Sequence, residues 1–367
     1  MTDTDGRDDI EFEESAAEIE DRESSPPTYE IATYPADFTL EVLQSKWNSG
    51  EIFIPPFQRG FVWSQAQASK LIESFLVGLP VPSIFLYTER DSEKSMVVDG
   101  QQRLRSVFYF FEGYFGEANQ KGSRTVFSLK GLNADSPFAG KTFEQLENDD
   151  PSAARRLKNS VLRAFVIRQL NPNDDTSVFH IFERLNTGGT LLHNQEVRNA
   201  VCSGPFNSLL HDLNRNDAWR EILGKPGPDT RMRDVELILR FFALRHASES
   251  YAKPMKDFMS KYMRAHSQDS QNAIDQFRAE FVNTVDIVRE TLGVKPFHIY
   301  AGFNSSAFDA VFTAISKNLD AIPSDLSERW ARLSSSDELR SAVTGGTTDV
   351  DQVRGRLALV EARLIHD

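Results

Sequence analysis

From about residue 205 to the C-terminus the apolar residues of this chain recur almost wholly at helical spacing, whereas before that point short β-like runs alternate with helices. Residues 235–244, 273–292, 303–319 and 350–365 each carry an apolar period near 3.6. In the second of these, Ile274, Phe277, Phe281, Val285 and Val288 share one face. Upstream, residues 52–54, 84–87, 96–98 and 161–170 read as strands. The change of period predicts an α+β chain. An α/β domain spans residues 33–202 and an all-helical domain spans 203–367.

The first 32 residues belong to neither. They are acidic, contain Ser24-Ser25-Pro26-Pro27 and hold few large apolar residues, so they predict a disordered tail. Such a tail solubilises, or it mimics nucleic acid or docks a partner. Residues 1–30 carry a net charge of −10 out of −13 for the whole chain, which leaves the folded part near neutral. The overall acidity therefore neither supports nor excludes a local surface for DNA or nucleotide. One cysteine, Cys202, rules out an internal disulfide and a cysteine metal cluster. The N-terminus lacks a basic segment leading into an apolar one, and no apolar run reaches the ~18 residues of a membrane span. The cytoplasm is the default compartment, with no membrane partner.

Local signals place the elements. Residues 38–48 have helical spacing through Leu40, Leu43 and Trp47. Ser64 is a good N-cap for a helix over 65–77, which Gly78 ends. Residues 104–111 predict a helix, 113–160 strands and loops, 177–185 a short helix, and 186–190 a loop before a helix at 196–201.

Three segments carry chemistry. In Val97-Val98-Asp99-Gly100-Gln101-Gln102-Arg103-Leu104 a strand runs into a glycine and a helix follows at once. That turn aims unpaired backbone N–H groups and the positive helix end at one spot, where a phosphate fits. Gly100 allows close approach, Arg103 offers a planar fork of donors, and Gln101 and Gln102 offer amide hydrogens. Asp99 is a candidate for holding Mg2+ or orienting a water. A plain strand–helix turn with a capping Asp explains the same residues. In Ile54-Pro55-Pro56-Phe57-Gln58-Arg59-Gly60-Phe61-Val62-Trp63, Gln58 and Arg59 stand among aromatics on a proline-fixed loop. This reads as a phosphate or nucleobase clamp, or as an aromatic core with a surface Arg. In Phe182-Glu183-Arg184-Leu185-Asn186-Thr187-Gly188-Gly189, Asn186 and Thr187 sit at a flexible backbone that suits a lid or an ordinary loop.

Together and in this order, the three segments resemble the ParB-like N-terminal domain of GmrSD-type, modification-dependent restriction endonucleases. The D-G-Q-Q-R element looks like the phosphate-binding turn of ParB and sulfiredoxin-like folds. The resemblance implies NTP binding and hydrolysis with Mg2+ by a subunit of a DNA-defence system that recognises foreign or modified DNA. Asp99 and Arg103 match as catalytic positions. Gln58, Arg59, Gly100, Gln101, Gln102, Arg103, Asn186 and Thr187 are carried over as nucleotide- or phosphate-binding. His193 departs from the family, whose members carry Ser or Thr there, so the helix before Glu196 predicts a weak cap. Relatives often continue into an HNH nuclease, but the later histidines (His211, His246, His266, His298, His366) lack its spacing. Cutting then falls to a partner subunit. Two other readings stay open: a ParB-like DNA-binding or nicking protein, and a non-catalytic module that docks a partner. The basic run Arg155-Arg156-Leu157-Lys158 with Arg163 and Arg168 is a DNA-backbone candidate or a solvated helix face.

Overall fold

The computed structural model describes residues 30–55, 60–88, 94–117, 122–170, 177–185, 193–300, 302–345 and 347–367. They fall into two compact units, one over Thr28–Leu191 and one containing Leu192–Asp367. Residues 1–29, most of the expected tail, lie outside the described residues.

The first unit is built on a five-stranded mixed sheet in the order β1-β7-β3-β4-β2. Strand β1 (Ile31–Thr39) leads into helix α1 (Leu40–Asn48), followed by β2 (Ile52–Phe53), α2 (Gln65–Val77), β3 (Ile84–Thr88) and β4 (Ser95–Asp99). Helix α3 (Gln101–Glu112) comes next, then the hairpin β5 (Tyr114–Phe115) and β6 (Thr125–Val126). Helices α4 (Phe143–Asp149) and α5 (Pro151–Asn159), strand β7 (Val161–Gln169) and helix α6 (Ser177–Leu185) complete the unit. Strand β3 runs antiparallel to β4 and parallel to β7, while β2 pairs parallel with β4.

The strand β1 corrects two expectations. It starts at Ile31, inside the stretch assigned to the tail, and it includes Phe38, assigned to a helix. Pro35 sits at its middle, which an edge strand tolerates because one side needs no ladder hydrogen bond. The helix begins one residue after Phe38's neighbour Thr39, whose hydroxyl accepts from the Val42 N–H. Residues 113–160 also differ from the expected strands and loops, since α4 and α5 occupy much of them. Thr142 and Gln145 form a capping box for α4, and Asp150 caps α5 with Pro151 at its first position.

Helix α2 covers the predicted 65–77, with Ser64 and Gln67 in a capping box and Gly78 left-handed at φ 78°. Helices α2 and α3 pack together over one face of the sheet. Leu71, Ile72, Leu104 and Val107 meet Ile84, Leu86 and Val97 there, all buried. Each such side chain contributes roughly 1.5–3 kcal/mol on leaving water, before the cost of ordering the chain. Trp47 of α1 stacks on Phe108 with ring centroids 5.3 Å apart. Helix α6 packs against β4 through a face that buries Val178 and Phe182.

The second unit is helical throughout its described residues. Helices α7 (Asn194–Val201), α8 (Pro205–Leu213), α9 (Asp217–Leu223), α10 (Arg233–Ala247) and α11 (Met255–His266) precede the long α12 (Gln271–Leu292). Then come α13 (Ser305–Lys317), α14 (Leu326–Ser334), α15 (Asp337–Thr344) and α16 (Val350–Glu361). Helix α13 is the axis: it packs on α10, α12 and α16, and every residue from Ser306 to Ser316 is buried. Charge lies inside as well, with Asp309 of α13 fully buried and 2.6 Å from Arg240. Among the described residues no helix is long and apolar enough to cross a membrane.

Candidate functional site

The corner begins with an irregularity in the sheet. Phe85 faces Asp99 and Leu86 faces Val97, which leaves Val98 as an extra residue on β4. Such a bulge re-aims the end of a strand. Gly100 follows in the left-handed region at φ 98°, ψ 11°, and α3 starts at Gln101, three residues before the predicted start. A Cβ at Gly100 would lie 2.3 Å from Cγ2 and 2.9 Å from Cβ of the buried Ile84. Both the dihedral and the space therefore demand glycine.

The N-cap is a glycine and no side chain caps this helix. The first intrahelical bond is donated by Leu104 N–H to Gly100 O at 3.0 Å. The backbone N–H groups of Gln101, Gln102 and Arg103 consequently have no acceptor among the described residues. They carry the positive end of a twelve-residue helix, equivalent to about half an elementary charge.

Arg103 lies one turn into α3 and folds back over the corner. Its Nη2 donates to Asp99 Oδ2 at 2.7 Å and to Ser83 O at 3.1 Å. Nε is buried without a partner, and Nη1 has none among the described residues. The Arg103 side chain is 17% exposed and that of Asp99 40%. At that exposure the pair adds at most about 1 kcal/mol to stability. Its effect is directional: it holds one edge of the guanidinium and leaves Nη1 to meet a further acceptor. Asp99 keeps one oxygen outside the ion pair.

Gln102 does something the sequence reading did not foresee. Its Oε1 accepts from the N–H groups of Val62 at 3.0 Å and Trp63 at 3.3 Å, and its Nε2 donates to Gly60 O at 3.1 Å. The Ser106 hydroxyl holds the Gln102 carbonyl at 2.7 Å. Three bonds to loop backbone thus hold the Gln102 amide away from a simple phosphate-donor role, and its main-chain N–H is one of the donors at the corner. Gln101 is half-buried, with Oε1 unpartnered among the described residues.

The corner thereby gathers parts of all three motif segments within one unit. Asp99 to Arg103 form it, residues 60–63 are tied to it by Gln102, and α6 packs on the strand that leads into it. Gln58, Arg59, Asn186 and Thr187 lie outside the described residues, as does the Arg59-to-Gly100 separation. The residues that sequence missed are Ser83, which offers a carbonyl, and Ile84, which makes the glycine obligatory; neither carries a side-chain signal for such a role. Much of the basic run is engaged internally. Arg156 donates to Leu76 O, Lys158 pairs with Glu147 and Arg163 with Asp37, while Arg155 is exposed. At the start of α7 the Glu196 carboxylate accepts from the His193 N–H at 2.7 Å, which makes one half of a capping box.

The described residues contain no cluster of three or more His, Cys, Asp or Glu side chains able to hold a metal. The corner supplies Asp99 alone. That donor set suits Mg2+ brought in by phosphates and touched by one carboxylate, since this ion keeps waters and substrate oxygens as its main ligands.

Comparison with known proteins bears on the same stretch. Residues 40–202 match the family model of the GmrSD restriction endonuclease, N-terminal domain. The match takes in loop 60–63, the corner and α6, and it ends after α7. The kinship that the three motifs pointed to is shown for these residues. No curated protein matches the chain.

Proposed function

We propose, from a chain whose residues 40–202 match the GmrSD restriction endonuclease N-terminal domain, that it acts as the NTP-binding and NTP-hydrolysing component of a restriction-like DNA-defence system. The nucleotide phosphates would sit on the first turn of α3. One observation carries the reading. Among the described residues, three adjacent N–H donors without acceptors share a glycine corner with Arg103, whose Nη1 has no partner. Neutral ligands gain little from such a place, whereas an anion gains the helix dipole, several N–H bonds and a guanidinium at once.

The roles follow from the atoms. The N–H groups of Gln101, Gln102 and Arg103 cradle phosphate oxygens, and Gly100 lets them approach. Arg103 offers Nη1 to charge that builds on the transferred group, held in aim by Asp99 and the Ser83 carbonyl. Bound Mg2+ would neutralise phosphate charge, with the second oxygen of Asp99 as its protein ligand. Gln58, Arg59, Asn186 and Thr187 are assigned further phosphate contacts from their motif positions. DNA, foreign or modified, would act as the effector, and a partner subunit would cut.

Calorimetry with ATP, GTP, CTP and UTP in Mg2+ tests this, with phosphate release measured with and without DNA. At least one nucleotide should bind. The Arg103→Ala variant should bind it roughly 10- to 150-fold more weakly, the loss of one charge-assisted contact worth about 1.5–3 kcal/mol. Wild-type protein that binds none of the four would end the proposal.

A further inference from the structure

We infer that Gln102 is a positioning residue: its side chain fastens the backbone of residues 60–63 to the first turn of α3 and so keeps the phosphate corner in working shape. The inference deepens the nucleotide reading and rests on it for its functional half.

The orientation of the amide is fixed by its neighbours. Oε1 faces the N–H donors of Val62 and Trp63, and Nε2 faces the Gly60 carbonyl. The flipped amide would set NH2 against two N–H groups and a carbonyl against a carbonyl, losing all three bonds. The span is long in sequence, about forty residues, so the clamp joins two segments that no local structure holds together. It also lies between two rigid anchors. Ser64 starts α2 in a capping box directly after the clamped residues, and the Gln102 carbonyl is itself held by Ser106. Loop 60–63 therefore spans a fixed helix start and a fixed helix turn, with Gln102 as the tie between them.

The clamp takes both bonds that Oε1 accepts and one Nε2 hydrogen, and it holds the whole amide against the loop. The clamp acts on a ligand through the loop and through the Gln102 main-chain N–H, whose position it stabilises. The neighbour Arg103 differs: among the described residues it makes no bond to residues 60–63, and its Nη2 is held by Asp99 and Ser83.

Hydrogen exchange of the full chain without nucleotide, resolved at residues 60–64, reads the clamp, and calorimetry with the bound nucleotide reads its consequence. In Gln102→Ala the Val62 and Trp63 amides should exchange about tenfold faster or more, with nucleotide affinity reduced several-fold. Gln102→Glu keeps an acceptor for both N–H groups and should retain most of their protection. It also serves if the alanine variant fails to fold. Arg103→Ala should lower affinity with loop exchange unchanged. Unaltered exchange in Gln102→Ala would overturn the clamp, and a loosened loop with unaltered affinity would overturn its positioning role. If the wild type binds no nucleotide, the functional half is overturned with the proposal above, and the exchange comparison alone still decides the clamp.

Discussion

Replacing Gly100 with alanine perturbs the corner with the smallest change in chemistry. Two costs can be worked from the structure. At φ 98° and ψ 11° an alanine occupies a region that L residues rarely adopt, worth about 1–3 kcal/mol. Its Cβ would also lie 2.3 Å from Ile84 Cγ2, deep within contact distance of a side chain with no exposed surface. Overpacking of that kind costs about 1–3 kcal/mol more. The sum, about 2–6 kcal/mol, is a large part of the 5–15 kcal/mol typical of a folded domain. Because the chain has two units, a whole-molecule melt would blend them, so the unit must be read separately. Urea titration followed by hydrogen exchange of peptides covering residues 94–112 does this. A double-mutant cycle with Ile84→Ala separates the terms. Removing Cγ2 takes away the nearer contact at 2.3 Å but leaves the Ile84 Cβ at 2.9 Å and the dihedral strain, so the pair should lose at least ~1 kcal/mol less than the sum of the single variants. Gly100→Ala within about 0.5 kcal/mol of wild type would refute both the strain and the contact. Strict additivity would refute the contact alone.

Two predictions concern the helical unit. Arg198 is 1% exposed and is held by Ser260, Gln195, the Glu236 carboxylate at 2.7 Å and Lys256 O. Arg198→Ala should cost about 2–5 kcal/mol in urea unfolding of that unit, because it empties a buried site and leaves the buried Gln195 and Ser260 and the partly exposed Glu236 without that partner; a loss under ~1 kcal/mol would contradict the network. Burial pushes the Glu280 carboxyl up, but hydrogen bonds from His246 and Ser316 and the charge of Arg245 outweigh it and hold it below its ordinary 4.5. A depressed carboxyl stabilises the fold above its unfolded value and loses that effect as pH falls through the folded one. The difference in Tm between wild type and Glu280→Gln should therefore be full at neutral pH and shrink as pH drops below about 4.5; a difference independent of pH would contradict it.

The sequence announced some of this structure because the signals were local. Ser64, Gly78 and the apolar period between them set both ends of α2. The strand–glycine–helix turn was legible for the same reason, since Gly100 stands between a β-branched run and a helical one. Strand β1 was hidden because its order comes from pairing with β7, more than a hundred residues away, and its half-exposed Tyr34-Pro35-Ala36-Asp37 has no clean alternation. Helices α4 and α5 did carry signals: Thr142 with Gln145, and Asp150 before Pro151. Their density of Gly, Asn and Asp nearby outweighed those caps. The task of Gln102 was not legible at all, because its partners are main-chain atoms forty residues distant. Asp309 likewise sits within an apolar helical period that gives no sign of the Arg240 waiting on another helix.

The central claim is that nucleotide phosphates occupy the first turn of α3. Backbone amide chemical shifts of the full chain, followed by NMR during titration with a non-hydrolysable triphosphate and Mg2+, address it directly. The largest saturable shifts should fall on Gly100, Gln101, Gln102 and Arg103 and should weaken in Arg103→Ala. Saturable shifts centred elsewhere, with these four amides unmoved, would contradict it.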